Sequence, residues 1–263
     1  MKRGLIESDT HCGSLLGLTP PDWWTPRTES WQRALWEQRR DYIDQAGELD
    51  FYVHVGDAID GPGHKDTTGL ITTDLYEQSE MAATAINIVR AKNRYLVRGT
   101  GYHTDTNGSL ENVVGQLSGI EPVDELRLEV EGRRCHFRHH VGRSDIPYGQ
   151  YTQLGKEAIN DLLQSEFENY DAADVLVRAH VHYHAMIGVG DATRNLTRYA
   201  WTQPALQLRA PLQSSYTRKL RTWLYHVRMV LLEIDGTDVY VRPLLIPISI
   251  YAPEVREYAT LEN

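Results

Sequence analysis

Short predicted strands that end in polar turns are the feature of this sequence that most constrains its fold. The segment Gly4–Ser8 ends in polar residues, and the apolar segment Phe51–Val55 runs straight into Gly56-Asp57. Helices are predicted over Ser30–Gly47 and Thr73–Lys92, because apolar residues recur there at spacings of three and four. Strands that alternate with helices in this way are typical of an α/β domain.

The rest of the chain predicts further helices and several hairpins. Apolar and polar residues alternate on either side of Glu131-Gly132 and of Asp235-Gly236, as they do in hairpins. The remaining predicted elements are strands at Tyr95–Val97, Val175–Val177, Met186–Val189, Leu196–Trp201, Val227–Ile234 and Val239–Leu244 and helices near Ser109–Leu117 and Tyr151–Glu168. We therefore expect residues 1–263 to form a single α/β domain of two packed sheets flanked by helices.

Composition excludes several classes of protein. The chain has 36 acidic and 27 basic residues, a balance that argues against coating nucleic acid through counterion release. Its two cysteines lie far apart, which favours a reducing compartment over a disulfide-stapled secreted domain. No apolar run approaches the roughly 20 residues of a membrane-spanning helix. The sequence thus predicts a cytoplasmic protein without a membrane partner.

Five short motifs follow predicted strands, where loops carry side chains to one edge of a sheet. They are SDTHCG (8–13), GDAIDG (56–61), RGTGYH (98–103), HHVG (139–142) and AHVH (179–182). Residues at i and i+2 of an extended segment point the same way, so Asp9 with His11, and His180 with His182, can converge on one centre. Carboxylate and imidazole together are typical ligands of Mn, Fe, Zn or Co. The five motifs therefore predict a shared metal site.

The order of these motifs resembles that of the calcineurin-like metallophosphoesterases. The shared pattern is Asp-x-His, Gly-Asp-x-x-Asp, a Gly turn with histidine, a histidine near glycine, and His-x-His, and it extends from Asp9 to His182. The residues of the later motifs are most similar to those of a branch of this family that is carried by viruses and prophages. The resemblance implies a four-layer α–β–β–α sandwich of two mixed sheets with a dinuclear metal centre.

The resemblance also implies a role for each motif residue. Asp9, His11 and His182 would hold one ion, His140 and His180 the other, and Asp57 would bridge the two, with Asp60 orienting a ligand from outside. His140 is preferred over its neighbour His139 because His140-Val141-Gly142 reproduces the His-x-Gly of the family. Exchange of the two histidines is the alternative.

The third motif departs from the family pattern. Thr100 stands where the family has asparagine, and the nearest histidine, His103, comes three residues later. His103 either supplies the missing ligand or acts as the acid that protonates the leaving oxygen, and we favour the second role. Arg143, three residues beyond His140, is expected to pair with a phosphate oxygen of the substrate.

The function that the resemblance implies is metal-dependent hydrolysis of phosphodiesters, nucleic acid among them, by a metal-bound hydroxide. Two divalent ions are the expected cofactors, with manganese first and Fe, Zn, Co or Ni as alternatives. One alternative function is a phosphomonoesterase acting on a nucleotide, another small phosphate or a phosphoprotein. The other is a metal-binding viral accessory protein whose altered third motif has impaired catalysis.

Overall fold

The computed structural model describes residues 1–26, 28–62, 69–105, 108–144, 146, 148–168, 170–192, 194–208 and 227–246. The strands within them are β1 (Lys2–Glu7), β2 (Leu49–Val55), β3 (Ala91–Val97), β4 (Pro122–Val123), β5 (Glu125–Val130), β6 (Arg133–Arg138), β7 (Val175–Arg178), β8 (Met186–Asp191), β9 (Leu196–Thr202), β10 (Arg228–Asp235) and β11 (Asp238–Leu245). The helices are α1 (Ser30–Ala46), α2 (Leu75–Asn87), the single turn α3 (Gly101–Thr104), α4 (Ser109–Ser118) and α5 (Gly149–Glu168). None of these described helices is long and apolar enough to cross a membrane.

The strands form two mixed sheets. The first has the order β11-β10-β1-β2-β3-β4, and the second has the order β5-β6-β7-β9-β8. In the first sheet β1, β2, β3 and β4 are parallel neighbours, while β10 joins β1 in the antiparallel sense. In the second sheet β7 pairs in parallel with both β6 and β9. The carboxyl ends of β1, β2 and β3 therefore lie at one edge.

Alternating side chains join the layers. In β1, Ile6 belongs to the core between the two sheets, whereas Leu5 packs with the helices outside the first sheet. In β7, Val175 and Val177 belong to the core between the sheets, and Leu176 packs on the outer side. Because neighbouring residues of a strand point to opposite faces, each of these strands has apolar residues on both faces.

Helices cover both outer faces. Residues of α1, α2 and α4 share a core with the first sheet, while Leu154 of α5 packs with Leu176 and Ala200 of the second sheet. The order of layers is thus helix, sheet, sheet, helix. This architecture confirms the expected four-layer sandwich of two mixed sheets.

The predicted end of the second helix is wrong. The second helix was expected to run to Lys92, but α2 ends at Asn87 and β3 already begins at Ala91. Val89 lies between them and is buried in the same core as Ile86 of the helix. Val89 follows Ile86 by three residues, so it continues the apolar spacing of the helix although the helical backbone has already ended.

Candidate metal centre

Two loops that leave neighbouring strands lie side by side. The backbone N–H groups of Asp9 and His11 donate to the carbonyl oxygens of Gly56 and Asp57, at N···O distances of 2.9 and 3.2 Å. The loops continue from β1 and β2, which are parallel and adjacent. This backbone pairing brings the first two sequence motifs together at the carboxyl edge of the first sheet.

The residues of this edge have an unusual backbone conformation. Eight non-glycine residues in the described part of the chain have positive φ, and five of them are predicted ligands. These five are Asp9 (φ 49°), His11 (φ 42°), Asp57 (φ 52°), His180 (φ 70°) and His182 (φ 59°). Such conformations cost free energy in L-residues, and they persist where the surrounding structure enforces them, often at functional sites.

Two glycines allow the loops to approach each other closely. A Cβ atom on Gly99 would lie 2.0 Å from Oδ1 of Asp57, and one on Gly56 would lie 2.6 Å from Nδ1 of His139. Gly56 also has a positive φ of 81°. Any larger residue at these positions would displace Asp57 or His139, so the glycines of the second and third motifs have a steric role.

The first group of candidate ligands surrounds Asp9. Its Oδ1 atom lies 3.1 Å from Nε2 of His182 and 3.9 Å from Nε2 of His11. The two histidine Nε2 atoms are 3.3 Å apart. Ligand atoms about 2.0–2.2 Å from a common ion are separated by roughly 3.0–3.5 Å, so Asp9, His11 and His182 have the spacing of a metal site.

Asp9 gives the test of whether a metal fits. The side chain is fully buried, and neither carboxylate oxygen accepts a hydrogen bond from the residues that the structure describes. Burial works to raise the pKa of Asp9, but the neighbouring His182, whose Nε2 lies 3.1 Å from Oδ1, and His139 hold that pKa below its usual range. Asp9 is therefore a buried carboxylate held in its charged form, and a divalent cation bound by its oxygens would balance that charge. The residues present therefore fit a metal.

The second group surrounds Asp57. Nε2 of His139 lies 3.0 Å from Oδ2 of Asp57, and His180 completes a set of three close ligand atoms with them. The Nδ1 atom of His139 lies 2.6 Å from the carbonyl oxygen of Val55, which only an Nδ1–H can satisfy. This contact assigns the proton of neutral His139 to Nδ1 and leaves the Nε2 lone pair directed at the Asp57 carboxylate.

His139, and not the preferred His140, lies in this group. His139 is buried, whereas His140 is exposed and stacks on the ring of His180 with centroids 5.3 Å apart. Cys135 and Phe137 of β6 both point into the core between the sheets, and the alternation of side chains places His139 on that same side. The geometry thus favours the exchanged assignment, and the alternation along β6 was the signal that could have indicated it.

Asp60 has the outer position that the resemblance implied. Its Oδ1 atom lies 3.3 Å from Nδ1 of His11, on the opposite side of that ring from the Nε2 atom facing His182. A carboxylate at this place favours an Nδ1–H tautomer of His11 and orients the ring.

The third motif contributes Thr100 and His103. The backbone N–H and the hydroxyl of Thr100 lie 2.7 and 3.2 Å from Oδ1 of Asp57, as donors to it. Nδ1 of His103 lies 2.6 Å from the carbonyl oxygen of Asp60, and its Nε2 lies 3.9 Å from Oδ2 of Asp57. His103 also forms a third set of close ligand atoms with His11 and Asp57. The geometry is compatible with both roles expected for His103.

Burial and neighbouring charges shift the pKa values of the site. Burial works to raise the pKa of Asp57, but His139 and His103 outweigh it and hold that pKa well below its usual range. Burial works to lower the pKa of His139, and the charges of Asp57 and Asp9 instead raise it to about 10. Without a cation the site therefore recruits a proton onto His139, which a bound metal would displace.

Glu111 is a site residue that the sequence did not indicate. Its Oε2 atom accepts the backbone N–H of Gly99 at 2.6 Å, although the residue lies twelve positions away on α4. Burial, followed by the charge of Asp57, raises the pKa of this fully buried carboxyl to about 7. Glu111 thus anchors the loop that presents Thr100 to Asp57. Its position on an amphipathic helix gave no sequence signal for this contact.

Arg143 is half-buried in the loop that follows β6. Its charge acts on the hydroxyl of Tyr183, which is adjacent in sequence to the candidate ligand His182. The expected contact between Arg143 and a substrate phosphate stays a prediction.

No protein-family model matches this chain, and no curated protein matches it. Solved structures similar to it include an archaeal phosphodiesterase, with 10% identity, coverage of 92% of this chain and 99% of that chain, and a TM-score of 0.46. Another is Vps29 of Entamoeba histolytica complexed with Zn²⁺, with 13% identity, coverage of 93% of this chain and 99% of that chain, and a TM-score of 0.40. A third is a metallophosphoesterase of Sphaerobacter thermophilus, with 12% identity, coverage of 92% of this chain and 88% of that chain, and a TM-score of 0.39. At this level of similarity, the activities and ligands of those proteins do not transfer to this chain.

Proposed function

We propose that this chain is a metal-dependent phosphoesterase that hydrolyses phosphodiesters. The observation that carries the proposal is the buried carboxylate of Asp9, which accepts no hydrogen bond from the described residues while histidine nitrogens lie 3.1, 3.9 and 4.0 Å from its Oδ1 atom. Such a buried group of polar side chains contributes little to stability by itself, and its oxygen and nitrogen atoms are well suited to bind a divalent cation.

The described residues would hold two ions. Asp9, His11 and His182 would bind the first, and His139 and His180 the second, with Asp57 shared between them. Nitrogen and carboxylate oxygen ligands suit Mn, Fe, Zn or Co, and we propose manganese first. Divalent ions in such a site supply Lewis-acid chemistry and lower the pKa of water.

The surrounding residues fix the ligands before any metal binds. The Val55 carbonyl sets the tautomer of His139, and Thr100 holds the Oδ1 atom of Asp57. These contacts leave the Nε2 atom of His139 and the Oδ2 atom of Asp57 3.0 Å apart. A site organised in this way loses little conformational entropy when it binds its ions.

We assign to His103 the role of the acid that protonates the leaving oxygen. Its Nδ1–H is held by the Asp60 carbonyl, so Nε2 is the atom that would carry and release a proton. Burial, and then the charge of His11, lower the pKa of His103 to about 4, so Nε2 is unprotonated near neutral pH in the absence of substrate. A bound phosphate would raise this pKa again, because a nearby negative charge favours imidazolium. The acid role thus requires the substrate, whereas the ligand role does not.

Phosphodiesters, nucleic acid among them, are the substrates that we propose, and phosphomonoesters, nucleotides among them, are the alternative. His140 is exposed, and His180 and Arg143 are half-buried, so a substrate can reach all three side chains. Arg143 is the group that we assign to a non-bridging phosphate oxygen, since a guanidinium binds two oxygens at once.

Hydrolysis of an aryl phosphodiester and of the matching aryl phosphomonoester by the manganese-loaded protein tests this function. We expect faster turnover of the diester, and a loss of about a hundredfold or more in Asp57→Asn, which keeps the size of the side chain and removes its charge. Faster turnover of the monoester would select the alternative. No turnover by folded protein that holds manganese would refute the enzymatic proposal and leave a metal-binding accessory protein.

A further inference from the structure

Helix α5 carries apolar side chains on the side that faces solvent. Its buried residues are Gln150, Leu154 and Asp161, which share the face that packs on the second sheet. On the opposite face, Ile159, Leu163 and Phe167 are 58%, 54% and 86% exposed. With Gly155 they form a row at a spacing of four residues, which runs along one side of a helix. We call Gly155, Ile159, Leu163 and Phe167 the α5 stripe.

We propose that the α5 stripe is the contact surface of a homodimer, in which α5 packs antiparallel against α5 of a second copy of this chain. Rows of residues spaced by four are the ridges that interdigitate in the commonest class of helix packing. A row of exposed apolar residues on a single helix is unusual for a monomer. The stripe therefore calls for a partner, and its own sequence indicates which one.

An antiparallel pair with its two-fold axis level with Asp161 is complementary in size. Such a pair places Ile159 level with the partner's Leu163 and Gly155 level with the partner's Phe167. A Cβ atom built on Gly155 would meet nothing within 4 Å, so there is open space for an aromatic ring above it. The largest side chain of the stripe thus faces its smallest residue.

Lys156 and Glu166 are both exposed but flank opposite sides of the stripe. The antiparallel pair therefore does not bring these two charges together, and the match of the two copies is one of size alone.

The exposed area is sufficient for a specific contact. Large side chains present about 150–250 Å² each when fully exposed, so the exposed fractions of the stripe, with those of Tyr151 (45%) and Leu162 (39%), correspond to roughly 500 Å² per copy. Two copies together would bury roughly 1,000 Å², which is about the lower limit for a specific interface. We therefore expect a dimer in the micromolar range.

Sedimentation velocity of the full chain from about 1 to 100 μM tests the proposal. We expect a concentration-dependent species of twice the 30.1 kDa chain mass. Leu163→Glu should weaken the dimer at least about tenfold, because it places two carboxylates in the apolar contact. Tyr240→Glu changes a similarly exposed residue (54%) on β11 and should leave the dimer intact. Leu163 and Tyr240 are both exposed, and circular dichroism of each variant checks that it folds.

A wild-type chain that stays monomeric at the highest concentration would overturn the proposal, as would a dimer that Leu163→Glu leaves unchanged. A monomer whose unfolding midpoint falls in Leu163→Glu would show that another part of the same chain covers the stripe, which also overturns it.

Discussion

Thr100 donates to the carboxylate of Asp57 twice, through its backbone N–H at 2.7 Å and through its hydroxyl at 3.2 Å from Oδ1. The residue that departs from the expected asparagine therefore holds the candidate bridging ligand in place. Its backbone position depends in turn on Glu111, which accepts the N–H of the preceding Gly99. The third motif thus provides an anchor for Asp57 at the position where the resemblance led us to expect an asparagine.

Thr100→Val should lower the affinity for the second metal equivalent by about tenfold. The substitution removes the hydroxyl donor but keeps the side-chain shape and the stronger backbone contact, and loss of outer contacts to metal ligands typically costs 10–100-fold in affinity. Titration of metal-free protein with Mn²⁺ measures the effect. An affinity equal to that of the wild type would show that the hydroxyl does not orient Asp57.

His139→Ala should lose one equivalent of metal, whereas His140→Ala should keep both. His139 is buried beside Asp57, while His140 is exposed and only stacks on His180. The two variants remove the same side-chain atoms from neighbouring positions, so each is the control of the other. Metal analysis after dialysis decides between them, and loss of metal in His140→Ala alone would restore the assignment that the sequence favoured.

His103→Ala separates the acid role from the ligand role. If His103 serves the leaving oxygen, the variant should keep two equivalents of metal and lose about 10²–10⁴-fold in turnover of a substrate with a poor leaving group. Turnover of a substrate with a good leaving group should fall much less, because such a group leaves without a proton. Loss of one metal equivalent would contradict the acid assignment and make His103 a ligand.

Much of the fold could be predicted from the sequence, because strands with apolar residues on both faces are short continuous apolar runs, whereas helices with one apolar face repeat apolar residues at spacings of three and four. Val89 shows the limit of that approach, since a buried residue in a turn continued the helical spacing of Ile86. The clustering of Asp9, His11, Asp57, His180 and His182 could be predicted, because their motifs follow strands, while their role as ligands stays a prediction. The choice of His139 and the contacts of Thr100 and Glu111 depend on where loops approach each other, and local spacing carries no information about that.

Stability of the metal-free protein should fall as the pH falls below about 6.5. Burial lowers the pKa of His54 to about 4, and its Nδ1 atom has no hydrogen-bond partner among the described residues. The unfolded chain binds a proton at this histidine near pH 6.5, whereas the folded chain does not until about pH 4. The contribution of neutral His54 to the free energy of unfolding is therefore fully present above pH 6.5, and roughly 2 kcal/mol of it is lost by about pH 5.

His54→Gln isolates this contribution from those of the other histidines. Urea unfolding measures the free energy of unfolding of each protein at about pH 7.5 and at about pH 5. The decrease between the two pH values should be smaller in the variant than in the wild type by roughly 2 kcal/mol, because glutamine does not titrate. Equal decreases in the two proteins would mean that His54 is not held neutral in the fold.

The most direct test of the account is the metal content of the purified chain after incubation with Mn²⁺ and dialysis, compared with that of Asp9→Asn. Asparagine keeps the size of the side chain and removes the buried charge that the cation is required to balance. We predict two equivalents of metal in the wild-type chain and the loss of at least one in Asp9→Asn. A folded wild-type chain that retains no divalent metal, or an Asp9→Asn variant that retains both equivalents, would contradict it.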